Sequence, residues 1–247
     1  MKRVIVIQAR MTSTRLPGKV LMDLAGRPML AQQLRRLARC RQADEIVVAT
    51  TTNATDDPVV AVAQDEGVRW FRGSETDVLA RYVGAAREAK ADVVVRVTAD
   101  CPLIDPEASD RVIEALASQR ERCDYASNVV RRTFPQGLDT EAMYMDVLER
   151  LSRLAQSAPA REHVTYFILN EHPGLFNIRS VTDTENNSDL RWTVDVPQDL
   201  EMVRRLYQEL SLGERAVRYR ELLAYVRANP TVAAVNAGVA QKSVSPL

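Results

Sequence analysis

The chain has 247 residues, 46% of them hydrophobic, and its 33 basic side chains balance 33 acidic ones. That length supports one substantial α/β core, and the balance lacks the basic excess with which proteins meet a nucleic-acid backbone. No run approaches the roughly 20 apolar residues of a membrane span, the start Met1-Lys2-Arg3 precedes too short an apolar stretch for a signal-peptide core, and neither the three cysteines (Cys40, Cys101, Cys123) nor the distant His163 and His172 have metal-ligand spacing, so the chain reads as a cytoplasmic globular protein with no nucleic-acid or membrane partner.

Val4 to Ile7 is a continuous apolar run, the pattern of a strand buried on both faces. A polar loop from Gln8 to Lys19 follows it, and Met29, Leu30, Leu34 and Leu37 then recur at helical spacing. Glu45 to Thr50 predicts a second strand, Pro58 opens a helix to about Glu66, and Val68 to Phe71 predicts a third strand. A helix over Asp77 to Lys90, a strand over Asp92 to Val97 and a helix from Pro106 to about Glu121 come next. This alternation predicts parallel βαβ units, a mostly parallel central sheet with helices on both faces. Ligands of such sheets sit beyond the carboxyl ends of the strands, so the loops Gln8–Lys19, Thr51–Asp57 and Thr98–Pro102 are expected to converge on one face.

The second half is less regular. Helices are predicted over Tyr144–Leu154 and Ala160–Asn170, strands over Phe176–Val181 and Leu190–Val194, then a helix from Pro197 through Tyr207 and a last one around Leu222–Val226. Periodicity fades from Asn236, where a loose tail is expected. With no repeat, linker or low-complexity block, residues 1–247 read as a single domain.

The first loop crowds Arg10, Arg15 and Lys19 into a turn shaped by Pro17 and Gly18. Like charges so close repel unless an anion joins them; at ~4 Å and an effective dielectric of ~20, each unlike pair is worth about 4 kcal/mol. Arginine offers a planar fork to phosphate oxygens and lysine a mobile point charge, while Gly18 permits close backbone approach. Val20 follows Lys19 where a Walker loop has Ser or Thr, and the dinucleotide fingerprint is absent. The plainer alternative is a solvated basic loop. Asp100 stands just after a buried strand, where a carboxylate can hold Mg²⁺ against triphosphate oxygens. Asp195, in Trp192-Thr-Val-Asp-Val-Pro197, is the second metal candidate. Either could instead cap the helix that follows; Asp105 and Asp199 read as capping or structural residues, and Asp77 as a helix-start residue.

Arg10-Met-Thr-Ser-Thr-Arg-Leu-Pro-Gly-Lys19 resembles the triphosphate-binding loop of the cytidylyltransferases that make CMP-activated sugars, such as CMP-Kdo and CMP-sialic acid synthetases. Arg72-Gly-Ser-Glu-Thr-Asp-Val-Leu-Ala-Arg-Tyr82, Asp100-Cys-Pro-Leu-Ile-Asp105, Phe134-Pro-Gln-Gly-Leu-Asp-Thr-Glu141, Arg161-Glu-His-Val-Thr165 and Trp192-Thr-Val-Asp-Val-Pro-Gln-Asp-Leu-Glu201 follow in order. Together they resemble the spore-coat polysaccharide F-type branch of that group over nearly the whole chain. The resemblance implies a Rossmann-like, GT-A-like nucleotidyltransferase fold, a homodimer, CTP as donor, Mg²⁺ as cofactor and a small sugar-like acid as acceptor. Pyrophosphate would leave, in the service of polysaccharide or glycoconjugate synthesis.

On that resemblance, Arg10, Arg15 and Lys19 are the catalytic cations, and Gln8, Ala9, Arg10, Gly18, Lys19, Thr51, Arg72, Ser74 and Asp100 contact the nucleotide. Arg72 and Ser74 could equally be a surface arginine and a helix cap. Gln136, Gly137, Asp139, Glu141, Arg161 and His163 are expected around the acceptor, His163 as a proton acceptor or a packing histidine. Asp100 and Asp195 are expected to hold the metal. Two other enzyme readings stay open: a sugar-1-phosphate nucleotidyltransferase using CTP, GTP or UTP, and a glycosyltransferase, whose usual D-x-D pair is missing from Asp100-Cys-Pro102. A non-enzymatic nucleotide-binding module is the remaining class.

Overall fold

The computed structural model describes residues 1–118 and 120–240. The first apolar run forms β1 (Arg3–Gln8), with Val4, Ile5, Val6 and Ile7 fully buried. A small hairpin, β2 (Asp23–Leu24) and β3 (Arg27–Pro28), leads into α1 (Met29–Leu37), which packs Leu30, Leu34 and Leu37 into the sheet's core. β4 (Glu45–Thr51), α2 (Asp57–Asp65), β5 (Arg69–Gly73), α3 (Val78–Glu88) and β6 (Val93–Thr98) complete the alternation expected from the sequence. Local chemistry sets the helix starts. Pro58 sits in the first turn of α2, Asp77 accepts from Ala80 N at 2.8 Å to open α3, and Asp105 accepts from Ala108 N at 2.8 Å to open α4 (Pro106–Ala117).

Four parallel strands lie in the order β5-β4-β1-β6. The chain builds outward from β1 to β4 and β5, then returns to place β6 on the other flank of β1. The winding direction therefore switches between β1 and β6, and the crevice beyond their carboxyl ends is where such folds bind ligands. Past β6 the sheet turns mixed: β8 (Glu141–Tyr144) runs antiparallel to β6 and to β7 (Tyr125–Ser127), and β9 (Ile178–Ser180) lies parallel to β7 at the edge.

Helices α5 (Met145–Leu154), α6 (Ala158–Glu162), α7 (Pro197–Glu209), α8 (Tyr219–Ala228) and α9 (Pro230–Ala233) belong to the second half. The helix expected from Pro106 to Glu121 ends at Ala117, and Arg120–Arg122 is a separate 3-10 turn. The helix expected over Ala160–Asn170 is broken. α6 stops before His163, Val164 adopts a left-handed φ of 53°, strained for a β-branched residue, and the chain resumes as one wide turn over Phe167–Glu171. Leu190–Val194 forms no strand either. Its backbone bonds loops instead, Trp192 N donating to Gln136 O at 2.6 Å and Val194 N to Asp100 O at 2.8 Å.

Buried apolar side chains form two clusters, one around the sheet and one that joins Phe134, Trp192 and Leu24 to α7 and α8 through Leu206, Tyr207 and Leu222. Asn236, where periodicity fades, is buried and donates to Arg191 O at 3.0 Å and Asp199 Oδ1 at 2.9 Å; residues 241–247 lie outside the described residues.

Candidate active site

A cavity of about 530 Å³ opens at the carboxyl ends of β1 and β6. Gln8, Ala9, Arg10, Arg15 and Lys19 of the first loop line it, together with Asp100, Asp195, Gln136, Gly137, Asp139 and His163. Hydrogen bonds draw the three strand-end loops together: Met11 N donates to Asp56 Oδ1 at 2.8 Å, Lys19 Nζ joins the first loop to Asp100 of the third at 3.1 Å, and Glu75, just after β5, accepts from both Thr12 Oγ1 and Asn53 Nδ2 at 2.6 Å.

Lys19 is the centre of the arrangement. Gly18, at φ 69°, caps the 3-10 turn Lys19–Leu21 and so aims the lysine inward; its role is in the turn, since it does not line the cavity. The ammonium Nζ lies 3.1 Å from Asp100 Oδ2, 2.9 Å from Asp195 Oδ1 and 2.7 Å from Val194 O. Burial works against its charge, but Asp100 and then Asp195 outweigh that and raise its pKa. Burial would likewise raise the Asp100 carboxyl; Lys19 and the Thr98 hydroxyl, 2.6 Å from Oδ1, hold it below the ordinary range. Arg15 Nη2 reaches Asp195 Oδ1 at 2.7 Å and Arg10 faces Glu75 at 3.6 Å. The loop's crowded cations are thus already joined by anions, and those anions are the chain's own carboxylates. Neither Asp100 nor Asp195 caps a helix.

Behind Asp195 stands a layer that sequence reasoning left as structural or did not single out. Arg191 Nη2 donates to Asp195 Oδ2 at 2.9 Å, and Asp199 takes Arg191 Nε and Nη2, each at 2.9 Å, together with the Asp195 N–H at 2.9 Å. Asp199 is fully buried, as befits the structural role expected of it.

On the acceptor side the expected residues divide. Gly137 has φ 102°, and a Cβ there would lie 2.6 Å from Thr193 N and Trp192 C, so glycine is required by close backbone approach. Gln136 Oε1 accepts from Arg191 Nη1 at 3.2 Å, and Asp139 forms a two-pronged pair with Arg132 at 2.6 and 2.8 Å. His163 lines the cavity half-buried; burial lowers its pKa, Glu162 opposes and Arg96 adds to the lowering. Glu141 does not reach the cavity. Its carboxylate is taken up by Arg96, Tyr125 Oη at 2.7 Å and Thr165 Oγ1 at 2.9 Å, so it orients Arg96, which does line the cavity. Arg161, expected beside the acceptor, does not line the cavity: it grips Asp77, with Nε–Oδ2 at 3.0 Å, and Ser152 O at 2.9 Å.

Three nucleotide candidates are likewise structural. Thr51 is fully buried with its hydroxyl on Asp56 at 2.5 Å; Arg72 ties Thr51 O, Asn53 O and Asp57 together; Ser74 Oγ accepts from Asp77 N at 3.0 Å. None lines the cavity. In their place the structure brings Arg81 to the wall. Only 2% exposed, Arg81 donates from Nη1 to Ser74 O at 2.7 Å, and its Nε has no partner among the described residues. A charge set inside an apolar run is the signal that marks Arg96, in Val93-Val-Val-Arg-Val97; Arg81 has no comparable signal.

The donor set fits Mg²⁺ on one condition. Asp100 and Asp195 already share the Lys19 ammonium, with Arg15 and Arg191 also on Asp195, and a hard cation is commonly held by one or two carboxylates plus substrate phosphates. Among the described residues no group of three His, Cys, Asp or Glu side chains is placed to hold a metal, so a cation on this pair would take its remaining ligands from phosphate oxygens and water.

A crevice at the winding switch of a mostly parallel sheet, with a cationic loop, one carboxylate just past β6 and another from the loop before α7, defines a nucleotide-binding α/β protein of the nucleotidyltransferase kind. The chain belongs to the cytidylyltransferase family, whose model matches residues 4–222. It is 36% identical to the spore coat polysaccharide biosynthesis protein SpsF of Bacillus subtilis over 92% of this chain and 95% of that one. A 3-deoxy-manno-octulosonate cytidylyltransferase of Anaeromyxobacter dehalogenans is 40% identical over 46% of each chain. A solved cytidylyltransferase from Leptospira borgpetersenii superposes with a TM-score of 0.89 at 31% identity, covering 94% of this chain and 97% of that one. The fold is therefore the Rossmann-like nucleotidyltransferase fold, and family membership favours a nucleotidyltransferase over the glycosyltransferase and non-enzymatic readings. Among the described residues no helix is long and apolar enough to cross a membrane.

Proposed function

We propose that the protein transfers CMP from CTP to a small sugar-like acid and releases pyrophosphate, as a Mg²⁺-dependent cytoplasmic homodimer serving polysaccharide or glycoconjugate synthesis. The observation that carries this reading is the Lys19 ammonium held between Asp100 and Asp195 at the mouth of β1 and β6. The relatives support CTP and a sugar acid; the homodimer rests on family resemblance, and the cellular compartment on the cysteine usage and the short apolar start of the sequence.

In the reaction, the acceptor hydroxyl oxygen forms a bond to the α-phosphorus while the bond to the bridging oxygen breaks, and pyrophosphate leaves with that electron pair. Arg10, Arg15 and Lys19 bind the phosphates and offset the charge that grows on the leaving group. Asp100 and Asp195 would hold Mg²⁺, which would supply charge neutralisation for the phosphates. His163, its basicity reduced by burial, is uncharged at neutral pH and receives the hydroxyl proton. Arg96 and Arg81 add positive potential to the walls. No covalent intermediate is needed, because positioning and electrostatics carry such transfers.

The test is pyrophosphate release with Mg²⁺ and each of CTP, GTP, UTP and ATP against a panel of sugar acids and sugar phosphates. Release requiring CTP and a sugar acid is the expected result. Release with a sugar 1-phosphate and another nucleotide would replace this reading with the sugar-1-phosphate nucleotidyltransferase.

A further inference from the structure

A second cavity, of about 540 Å³, lies between the end of α1, the start of α4 and the segment before α8. None of its lining residues is shared with the cavity of Lys19. Five arginines line it: Arg36, Arg39, Arg41, Arg111 and Arg218. Arg36 is the unusual one. It is 4% exposed, donates from Nε to Ile104 O at 2.7 Å and from Nη2 to Val217 O at 3.2 Å, and its Nη1 has no partner among the described residues. Among the described residues no carboxylate forms an ion pair with it, and burial outweighs the influence of Tyr207 and Asp105, so its pKa is lowered. The heads of Arg39 and Arg41 are exposed and likewise have no ion pair among the described residues.

The acidic residues nearby do not make up for this. Both oxygens of Asp110 accept backbone N–H groups, from Arg41 at 3.0 Å and Gln42 at 2.9 Å. Asp105 caps α4 and accepts from Tyr219 N at 2.9 Å. Glu107 and Glu114, toward the surface, face Arg218 at 3.4 Å and Gln42 Nε2 at 2.9 Å. A bare anion would meet repulsion from those two glutamates, whereas a ligand carrying both a phosphate and hydroxyl donors suits guanidinium and carboxylate walls together.

We propose that this cavity is a second ligand site, for a sugar phosphate: its phosphate faces Arg39 and Arg41 over the buried Arg36, and its hydroxyls face Glu107 and Glu114. Through Arg36 the site is tied to the segment that follows Asp100. Arg36 holds Ile104 O, and Tyr207 Oη holds Pro102 O at 2.9 Å, in the segment that begins at Asp100. Occupancy would stiffen that segment.

The experiment is calorimetric titration of the full chain with glucose 1-phosphate, and separately with inorganic phosphate. Binding of glucose 1-phosphate with Kd of about 1 mM or tighter is expected, with inorganic phosphate weaker by about tenfold. The double variant Arg39→Ala/Arg41→Ala, altered only at exposed positions, is expected to lose this binding while keeping its unfolding midpoint; Arg15→Ala/Lys19→Ala is expected to retain it. Absence of binding of glucose 1-phosphate overturns the proposal. So does loss of binding in the Arg15/Lys19 variant alone, which assigns the ligand to the first cavity, and so does equal affinity for the two probes, which removes the sugar. Because neither arm uses CTP, failure here is distinct from failure of the cytidylyltransferase reading.

Discussion

Lys19 and Asp195 lie 176 positions apart and meet at 2.9 Å, mostly buried, at the point where the first loop closes over the β1 and β6 ends. The aspartate is fixed from the other side by Arg191, and Arg191 by Asp199. Its carboxylate is therefore aimed before any ligand arrives, and the cations of the first loop are already gathered around it. Preorganisation of this kind lowers the reorganisation needed during the transfer itself.

Asp199 is the keystone of that order, so its loss is expected to act on stability. Asp199→Ala removes the acceptor of the Asp195 and Val196 N–H groups and one carboxylate from a buried arginine. Breaking a buried pair in this way costs about 3–5 kcal/mol, read as a lower urea midpoint. Asp199→Asn keeps acceptor oxygens and is expected to lose less. An alanine variant as stable as the parent would show that the network contributes nothing.

The pH dependence of stability has a sign fixed by these contacts. The carboxyls of Asp100 and Asp199 are held below the ordinary 3.8, in each case because partners outweigh burial: Lys19 for the first, Arg191 and Asn236 for the second. Their contribution is fully present above 3.8 and is lost as pH falls through the lower folded values. Lys19 lies above its ordinary 10.5, so its contribution is present below 10.5 and is lost as pH rises through the folded value. Lys19→Met is expected to flatten the alkaline limb and to soften the acid limb, because it also releases Asp100. Urea midpoints measured across pH check this; unchanged limbs would contradict the pairing.

Much of this was legible in the sequence, and the gaps have physical causes. The run Val4–Ile7, the caps at Asp77 and Asp105 and the loop cations carry strong local signals, and all appear where they were expected. β7 and β8 are 3 and 4 residues long, and β8 opens on a charged glutamate, so neither shows a readable period. Leu190–Val194 has a strand's composition, but its partners are the loops at Gln136 and Asp100, which no local pattern reveals. Arg72 and Arg161 were expected to meet ligands and instead meet Asp57 and Asp77. An arginine's type shows that it needs an anion, without showing whether the anion is a substrate or the chain's own carboxylate.

Gly137 couples backbone shape to the site. A methyl group there would press on Trp192 C and Thr193 N, the residues that lead into Asp195, and would have to sit at φ 102°. Gly137→Ala is expected to cost about 1–3 kcal/mol in stability through backbone strain, and to reduce pyrophosphate release because Asp195 is displaced. The check is a urea midpoint beside a steady-state assay; parental values in both would mean that the approach of the two segments is unimportant.

His163 offers the sharpest separation of a chemical role from a packing role. Burial depresses its pKa, with Glu162 opposing and Arg96 adding to the lowering, so the neutral form dominates above the ordinary 6.5 and persists somewhat below it. If it receives the acceptor proton, kcat/KM rises with pH through a value under 6.5 and then levels. His163→Asn is expected to lower kcat by about 10²- to 10⁴-fold and to abolish that acid limb, with KM for CTP little changed. A packing histidine predicts something different: a small fall in kcat, an unaltered limb and a lower unfolding midpoint. The broken helix favours the chemical role, since the left-handed turn at Val164 ends α6 and leaves His163 on the cavity wall. A strained β-branched residue beside a cavity-facing histidine is expected where the site requires that direction.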